Sequence, residues 1–167
     1  IPSDHVMLCG THTHSAPTTS GPNANTEYLH FLTSQTLAAI ALAKSRAESA
    51  RVTVGRGTSQ IGVNRREQKP GGEVTLGENP GGPIDREVIL TTLVSESGKS
   101  IADICSFATH GTVMGGDSYQ ISGDWCGLAA VQTESDSQAP FLFMNGGSAN
   151  VNPVGRSRPS RFDIAHT

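Results

Sequence analysis

The sequence has no long apolar segment. No run approaches the length of about 20 apolar residues that a membrane-spanning helix needs, and no charged start followed by an apolar core marks a signal peptide. The chain nevertheless begins at Ile1 without a methionine and stops at Thr167 soon after a loop, so we expect both ends to be cut from a longer protein. The missing signal peptide therefore leaves the compartment open.

Charge is also scarce. Charged residues make up 16% of the chain, the formal net charge is −3 and the pI is about 6.0. This balance leaves no basic face for a nucleic acid, so we expect no nucleic-acid partner. A small basic cluster near the end, which we interpret as a solvated loop, consists of Arg156, Arg158 and Arg161.

Cysteines and phosphate-binding motifs are equally sparse. Three cysteines cannot all pair, and each is beside apolar residues, so we expect buried thiols rather than a disulfide framework at Cys9, Cys105 and Cys126. The segment Gly55-Arg56-Gly57 lacks the third glycine of the dinucleotide fingerprint, and no strand-to-helix turn follows it. Nucleotide binding is therefore not expected.

What the chain does contain is glycine and proline, at 19 and 9 positions of 167. This composition is typical of a loop-rich globular domain with short elements. No internal repeat and no shift in composition divides the chain, so residues 1–167 are interpreted as a single domain.

The apolar pattern predicts one long helix and several short strands. The helix runs from about Glu27 to Glu48 and is capped by Asn25 or Thr26. A second, shorter helix is predicted from Asp124 to Thr133, with Ser122 as its cap. The predicted strands are Val6 to Cys9, one or two bulged strands within Arg51 to Val63, the hairpin of Glu87 to Val94 and Ile101 to Ala108, and Phe141 to Met144.

Two further stretches are predicted to be loops. Gln68 to Pro83 holds too many glycines and prolines for regular structure, and Asn145 to Pro153 is rich in glycine and asparagine. Together the elements predict an α/β fold of the mixed α+β kind, in which helices flank a mixed β-sheet.

The histidine pair in Cys9-Gly10-Thr11-His12-Thr13-His14-Ser15 is the first candidate site. Residues two apart in an extended backbone face the same side, so His12 and His14 are expected to face one space. This arrangement suits a metal bound at a strand end, with the second ring as a further ligand, proton carrier or hydrogen-bond donor. Alternatively, both rings satisfy only local backbone groups.

A second histidine follows another predicted strand. His110 is either a core histidine bonded to a carbonyl or a ligand from a separate strand. Asp124 is as well suited to capping the following helix as to supporting a metal site. Arg65 lies at the end of a predicted strand. It is either a surface arginine or a group that stabilises an anion.

Four motifs occur in a specific order: Thr11-His12-Thr13-His14-Ser15 with Pro17 after it, Asn64-Arg65, Ala108-Thr109-His110-Gly111-Thr112-Val113-Met114, and Ile121-Ser122-Gly123-Asp124. In this combination the chain resembles the N-terminal catalytic domain of neutral, non-lysosomal ceramidases. The resemblance covers most of the chain from Val6 to Pro153.

The resemblance implies a zinc-dependent hydrolase that cleaves the amide bond of an N-acyl lipid or a smaller amide. It implies His12 and His110 as zinc ligands, with His14 and Arg65 at the reaction centre. It also implies a glutamate and a tyrosine ligand from later in a longer chain, so the rest of that chain is needed to complete the site. Secretion or a periplasmic location, and peripheral contact with membranes, are further expectations from the family.

One departure concerns the loop in which the ceramidases have a functional serine. Here the chain reads Gly147-Ser148-Ala149-Asn150-Val151-Asn152-Pro153, with Asn150 at the matching place. Asn150 is predicted to donate a hydrogen bond in the site, and zinc-assisted hydrolysis needs no serine. The departure also keeps open a catalytically inactive member that acts as a binding or structural module.

An alternative enzyme class is the barrel amidohydrolase, which also begins with His-x-His after a strand. That fold needs about 250 residues and repeated strand-helix units. The single long helix and the hairpin of this chain argue against it.

Overall fold

The computed structural model describes residues 1–155 of the chain. The basic cluster of Arg156, Arg158 and Arg161 lies outside the described residues. Within residues 1–155 the fold has two β-sheets and two α-helices, which confirms the predicted mixed α+β class. No helix in this part of the chain is long and apolar enough to cross a membrane.

The larger sheet contains four strands in the order β1-β4-β5-β6. Its strands are β1 (Ala50–Thr58), β4 (Glu87–Ser95), β5 (Ser100–Phe107) and β6 (Phe141–Asn145). The β4 and β5 strands form the predicted antiparallel hairpin, and β6 pairs with β5 in parallel, so the sheet is mixed as expected. The parallel pair brings the ends of β5 and β6 to the same edge.

The smaller sheet is antiparallel, with the order β3-β2-β7. Its strands are β2 (Gly62–Gln68), β3 (Val74–Asn79) and β7 (Val151–Pro153). This sheet corrects both loop predictions, because β3 lies within the supposed loop after Gln68 and β7 ends the supposed loop after Asn145. Pairing across the sheet overrides the local glycine and proline content. The β2 strand also continues past Val63, so Arg65 lies inside a strand rather than at its end.

The first helix, α1 (Thr26–Ser45), matches the prediction. The Asn25 side chain caps it by accepting a hydrogen bond from the Tyr28 backbone N–H at 2.9 Å. None of its residues is buried within the described part of the chain.

The second helix, α2 (Asp124–Ser137), is longer than predicted and packs against β6. It ends where Gln138 adopts a left-handed conformation. Ser122 precedes the helix, and its hydroxyl accepts a hydrogen bond from the Asp124 N–H at 3.0 Å. A serine therefore does satisfy a donor at this helix start, although the capping position itself is Gly123.

The prediction of a buried strand at Val6 to Cys9 is wrong. This segment follows a single 3-10 turn (Ser3–His5) and has no regular structure, and Leu8 is 77% exposed. A run of four apolar residues is too short a signal to distinguish a strand from an apolar surface segment. Cys9 is exposed for the same reason, so the expectation of a buried thiol fails there.

The core lies between the four-stranded sheet and α2. Phe107 from β5, Phe143 from β6 and Cys126 from α2 are buried together, and Trp125 packs against them. The Trp125 ring meets Phe107 and Phe143 edge to face, with ring centroids 5.9 and 5.0 Å apart. Cys126 is a buried free thiol, as predicted, whereas the free thiol of Cys105 is only half-buried.

Candidate metal centre

The side chains of His12 and His14 lie close together, although neither residue is in a β-strand. The backbone of His12 has a φ of 59°, a left-handed conformation that is uncommon for a residue other than glycine. The turn brings the Nε2 atoms of His12 and His14 to 3.1 Å from each other. The expectation that the two rings share one space is thus met, but a strained turn produces it instead of strand alternation.

The turn is held on the loop that carries the third histidine. Thr13 forms a parallel bridge with Gly111, and the His14 N–H donates to the Gly111 carbonyl at 3.2 Å. The Thr13 hydroxyl donates to the Ser122 carbonyl at 2.7 Å, and the Ser122 N–H donates to the Ser15 carbonyl at 2.9 Å. These contacts dock residues 12–15 between the His110 loop and the start of α2.

His110 follows the end of β5 and is buried. The Val151 carbonyl of β7 lies 3.1 Å from its backbone nitrogen and 2.9 Å from its ring Nδ1. Since a carbonyl can only accept, Nδ1 carries the proton. In the neutral ring, Nε2 therefore holds the lone pair that a metal would bind.

The surroundings keep this ring neutral. Burial lowers the pKa of His110 below its ordinary value of 6.5. The Val151 hydrogen bond opposes this shift, and the charges of Arg65 and His12 lower the pKa by smaller amounts. A neutral imidazole is the form that binds metals.

The three histidines form a compact donor set. The ligand atoms of His12, His14 and His110 all lie within 4.8 Å of one another, and the ring centroids of His12 lie 4.7 Å from those of both partners. Ligand atoms around a tetrahedral zinc ion with bonds of about 2.1 Å are separated by about 3.4 Å. The three nitrogens therefore fit a metal ion after small side-chain movements, and imidazole is a preferred ligand of zinc.

Arg65 reaches the same cluster from the middle of β2. Its Nη1 lies 3.3 Å from the His110 Nε2, and since a guanidinium only donates, the imidazole is the acceptor. Arg65 is therefore not the solvated surface arginine that its sequence neighbours Arg66 and Glu67 permit. It places a permanent positive charge at the edge of the donor set.

Asn150 is tied to Arg65 through its backbone rather than its amide group. The Arg65 N–H donates to the Asn150 carbonyl at 2.8 Å, while the Asn150 side-chain amide donates to the Pro83 carbonyl at 3.0 Å. The structure thus brings four of the five predicted site residues into one cluster, at His12, His14, Arg65 and His110. The Asn150 side-chain amide instead contacts the Pro83 carbonyl, which lies in the loop before β4.

Two groups that orient His110 are missing from the sequence-based site. One is the Val151 carbonyl, which no sequence signal reveals because every residue has one. The other is Trp125, whose indole Nε1–H donates to the His110 carbonyl at 2.9 Å. Trp125 is the single tryptophan of the chain and directly follows Asp124, so its position was a usable hint.

The comparison with protein families shows which family the chain belongs to. The family model described as neutral/alkaline non-lysosomal ceramidase, N-terminal, matches residues 2–147. The chain belongs to this ceramidase family. The matched segment includes His12, His14, Arg65 and His110, and Asn150 lies just beyond it.

Solved structures of ceramidases have the same fold. A neutral ceramidase from Pseudomonas aeruginosa is similar with a TM-score of 0.74 at 20% identity, over 95% of this chain and 29% of that one. A structure described as ceramidase complexed with C2 has a TM-score of 0.73 at 23% identity, over 87% of this chain and 25% of that one. The chain thus spans less than a third of either protein. No curated protein matches the chain.

Proposed function

We propose that this chain is part of a zinc-dependent hydrolase that cleaves the amide bond of an N-acyl lipid. The observation that carries the proposal is the convergence of His12, His14 and His110 within 4.8 Å, with the Arg65 guanidinium beside them. A cluster of imidazoles next to a fixed cation suits a reaction in which a metal activates water and negative charge develops on a carbonyl oxygen.

His12 and His110 would hold the ion through their Nε2 atoms, with further ligands from outside this chain. When bound, zinc lowers the pKa of water towards about 7 and so supplies a nucleophile at neutral pH. Val151 fixes the tautomer of His110, and the strained turn at His12 presents the second ring. Both orienting features come from residues of this chain.

His14 is assigned to proton transfer. Its ring is exposed, and its Nε2 lies 3.1 Å from the His12 Nε2, next to the atom that would hold the ion. Arg65 is assigned to stabilising the oxyanion. Its Nη1 faces the Nε2 lone pair of His110, which is also the lone pair that a metal would bind. Beside a bound metal, the guanidinium would stabilise the developing oxyanion of the amide.

A groove next to the cluster supports a lipid amide rather than a small polar one. Its volume is about 1570 Å³, and it extends from His12 and His14 along the N-terminal segment and α1. Apolar side chains that line it include Val6, Leu8, Leu32, Leu37 and Ile40. Such a surface favours an acyl chain, because burial of each methylene contributes about 0.8 kcal/mol.

The test is metal content and amide hydrolysis in the full-length protein that carries this chain. We expect about one zinc per chain, lost together with hydrolysis in His12→Ala and in His110→Ala. His30→Ala is the matched control, because His30 is an exposed histidine on α1. Zinc retained at full occupancy in both site variants would refute the proposal.

A second candidate function is that of an inactive family member that binds or supports other groups. It is favoured by Asn150, which stands where the ceramidases have a functional serine and whose amide is engaged with Pro83. A hydrolysis screen with short and long acyl amides separates the two candidates once zinc occupancy has been measured. Turnover of any of these amides by the zinc-loaded protein excludes the inactive form.

We further propose that residues 1–167 form one unit within a larger catalytic domain of a secreted or periplasmic protein. The support is the family, together with the coverage of 29% and 25% of the two solved ceramidases. Cell fractionation of the natural host tests the location.

A further inference from the structure

Asp124 is one of the most deeply buried side chains in the described part of the protein, with 2% of its surface exposed. Its carboxylate accepts three backbone hydrogen bonds. Oδ1 accepts from the N–H groups of Val113 and Trp125 at 3.2 and 2.9 Å, and Oδ2 accepts from that of Met114 at 2.8 Å. This carboxylate therefore ties the loop after His110 to the first turn of α2.

The contacts of Asp124 and its neighbour act on both sides of His110. Val113 and Met114 follow that histidine by three and four residues, and the Trp125 indole holds its carbonyl at 2.9 Å. The Asp124–Trp125 pair thus restrains the His110 peptide itself and the loop that continues from it. The Val151 carbonyl restrains the ring.

The same pair is adjacent to the turn with the other two histidines. A Cβ built on Gly111 would lie 3.6 Å from the Asp124 Cβ, 3.6 Å from the His12 carbonyl oxygen and 3.6 Å from the Thr13 Cα. Gly111 is therefore packed between Asp124 and the His12–Thr13 backbone. Asp124 therefore packs against Gly111, the residue to which the turn with His12 and His14 is hydrogen-bonded.

A carboxylate is the side chain that this arrangement requires. All three partners are N–H donors, and both oxygens of the carboxylate accept. An asparagine has the same shape but only one accepting oxygen, so its NH₂ group would face a donor in either orientation. Asp124 also has a φ of 56°, which aspartate and asparagine tolerate equally well.

We propose that Asp124 is the positioning residue of the histidine cluster, which sets the separation of His110 from His12 and His14 through the backbone of residues 111–114. Both oxygens of its carboxylate face backbone N–H groups, so its proposed role is to position the cluster. The inference rests on the proposed metal site for its effect on zinc affinity, while the positioning of the His110 ring is testable without metal.

The first test is zinc affinity in the full-length protein by competition with a chelating dye. Asp124→Asn keeps the size and backbone preference and removes one acceptor, so we expect the zinc Kd to rise about 10- to 100-fold, as for other groups that orient ligands. Asp103→Asn is the matched control. Asp103 is 4% exposed and accepts from the Thr92 hydroxyl at 2.6 Å on the β4–β5 hairpin.

Unfolding of each variant by urea separates positioning from a general loss of stability. We expect Asp103→Asn to lower the unfolding midpoint and leave the zinc Kd within about threefold of the wild type. Trp125→Phe, which keeps the ring in the core but loses the indole donor, is expected to raise the Kd by a smaller factor than Asp124→Asn. An unchanged Kd in Asp124→Asn, or an equal increase in Asp103→Asn, overturns the proposal.

The second test uses the metal-free protein with ¹⁵N-labelled histidine. Long-range ¹H–¹⁵N spectra of the wild type should show His110 as a single Nδ1–H tautomer, and Asp124→Asn should show a mixture. A single unchanged tautomer in that variant overturns the proposal. A wild type that binds no zinc but gives the expected spectra refutes the proposed function and leaves the positioning role of Asp124 supported.

Discussion

The guanidinium of Arg65 and the imidazole of His110 meet with Nη1 3.3 Å from Nε2. Arg65 lies on β2 of the smaller sheet and His110 follows β5 of the larger sheet. They are brought together because Val151 pairs with Asn64 on β2 and also holds the His110 ring. Contacts of Val151 therefore fix the positions of the Arg65 guanidinium and the His110 Nε2 relative to each other. We make four predictions from this arrangement and from the packing and burial of the surrounding chain.

Arg65 is expected to contribute to catalysis without being needed for zinc binding. Arg65→Gln should lower kcat of amide hydrolysis about 10²- to 10³-fold, as is typical when a donor to an oxyanion is removed. Zinc content should be unchanged. Arg66→Gln is the neighbouring control, because the Arg66 side chain is exposed and its Nη2 donates to the Ala149 carbonyl at 3.4 Å. Equal activity in the two variants would contradict the role of Arg65.

The metal-free protein should lose stability in mild acid because of His110. Its pKa is lowered in the folded state, mainly by burial, so the unfolded chain takes up the proton first. Stability is therefore full above the ordinary histidine pKa of about 6.5 and falls as the pH drops below it. Urea unfolding between pH 7 and pH 5 should show this fall, and His110→Gln should make it shallower by up to one proton. An identical slope in the variant rules out this histidine as the source.

Gly62 is predicted to be intolerant of any side chain. A Cβ at this position would lie 2.8 Å from both the Thr109 hydroxyl oxygen and the Val151 Cγ1, and both neighbours are buried. Gly62→Ala should destabilise the protein by about 1–3 kcal/mol through overpacking and should disturb the Val151 contact with His110. Gly57→Ala is the control in β1, where no atom lies within 4 Å of the added methyl group. Denaturant unfolding should distinguish the two, and equal midpoints would disprove the overpacking.

The thiols are expected to react at very different rates. Cys9 is exposed, whereas burial and, to a smaller extent, the nearby Asp124 charge raise the pKa of Cys126 to about 12. Since the thiolate is the reactive form and burial also raises the pKa of the half-buried Cys105, a disulfide reagent at pH 8 should label Cys9 rapidly, Cys105 more slowly and Cys126 only after unfolding. Cys9→Ser should remove the rapid phase. A rapid phase that persists in this variant would show that a second thiol is accessible.

The sequence by itself determined the residue types of the candidate site and most of the regular elements. The α1 helix was predictable because Asn25 and the apolar spacing are local signals, and the β4–β5 hairpin because polar turn residues separate two apolar runs. His12, His14 and His110 were identifiable from motif order, since ligand chemistry depends on residue type. The fold class followed from the same elements.

Only the tertiary structure decided how these residues meet. Strand alternation does not bring His12 and His14 together, because a left-handed backbone at His12 does so within a segment that is not a strand. The β3 and β7 strands exist because β2 lies between them, a pairing that local glycine and proline content cannot reveal. The Trp125 indole and the Val151 carbonyl contact His110 directly from 15 and 41 residues away, and the Asp124 carboxylate acts through the loop that follows it. Such contacts depend on packing between elements, and no local pattern in the sequence encodes them.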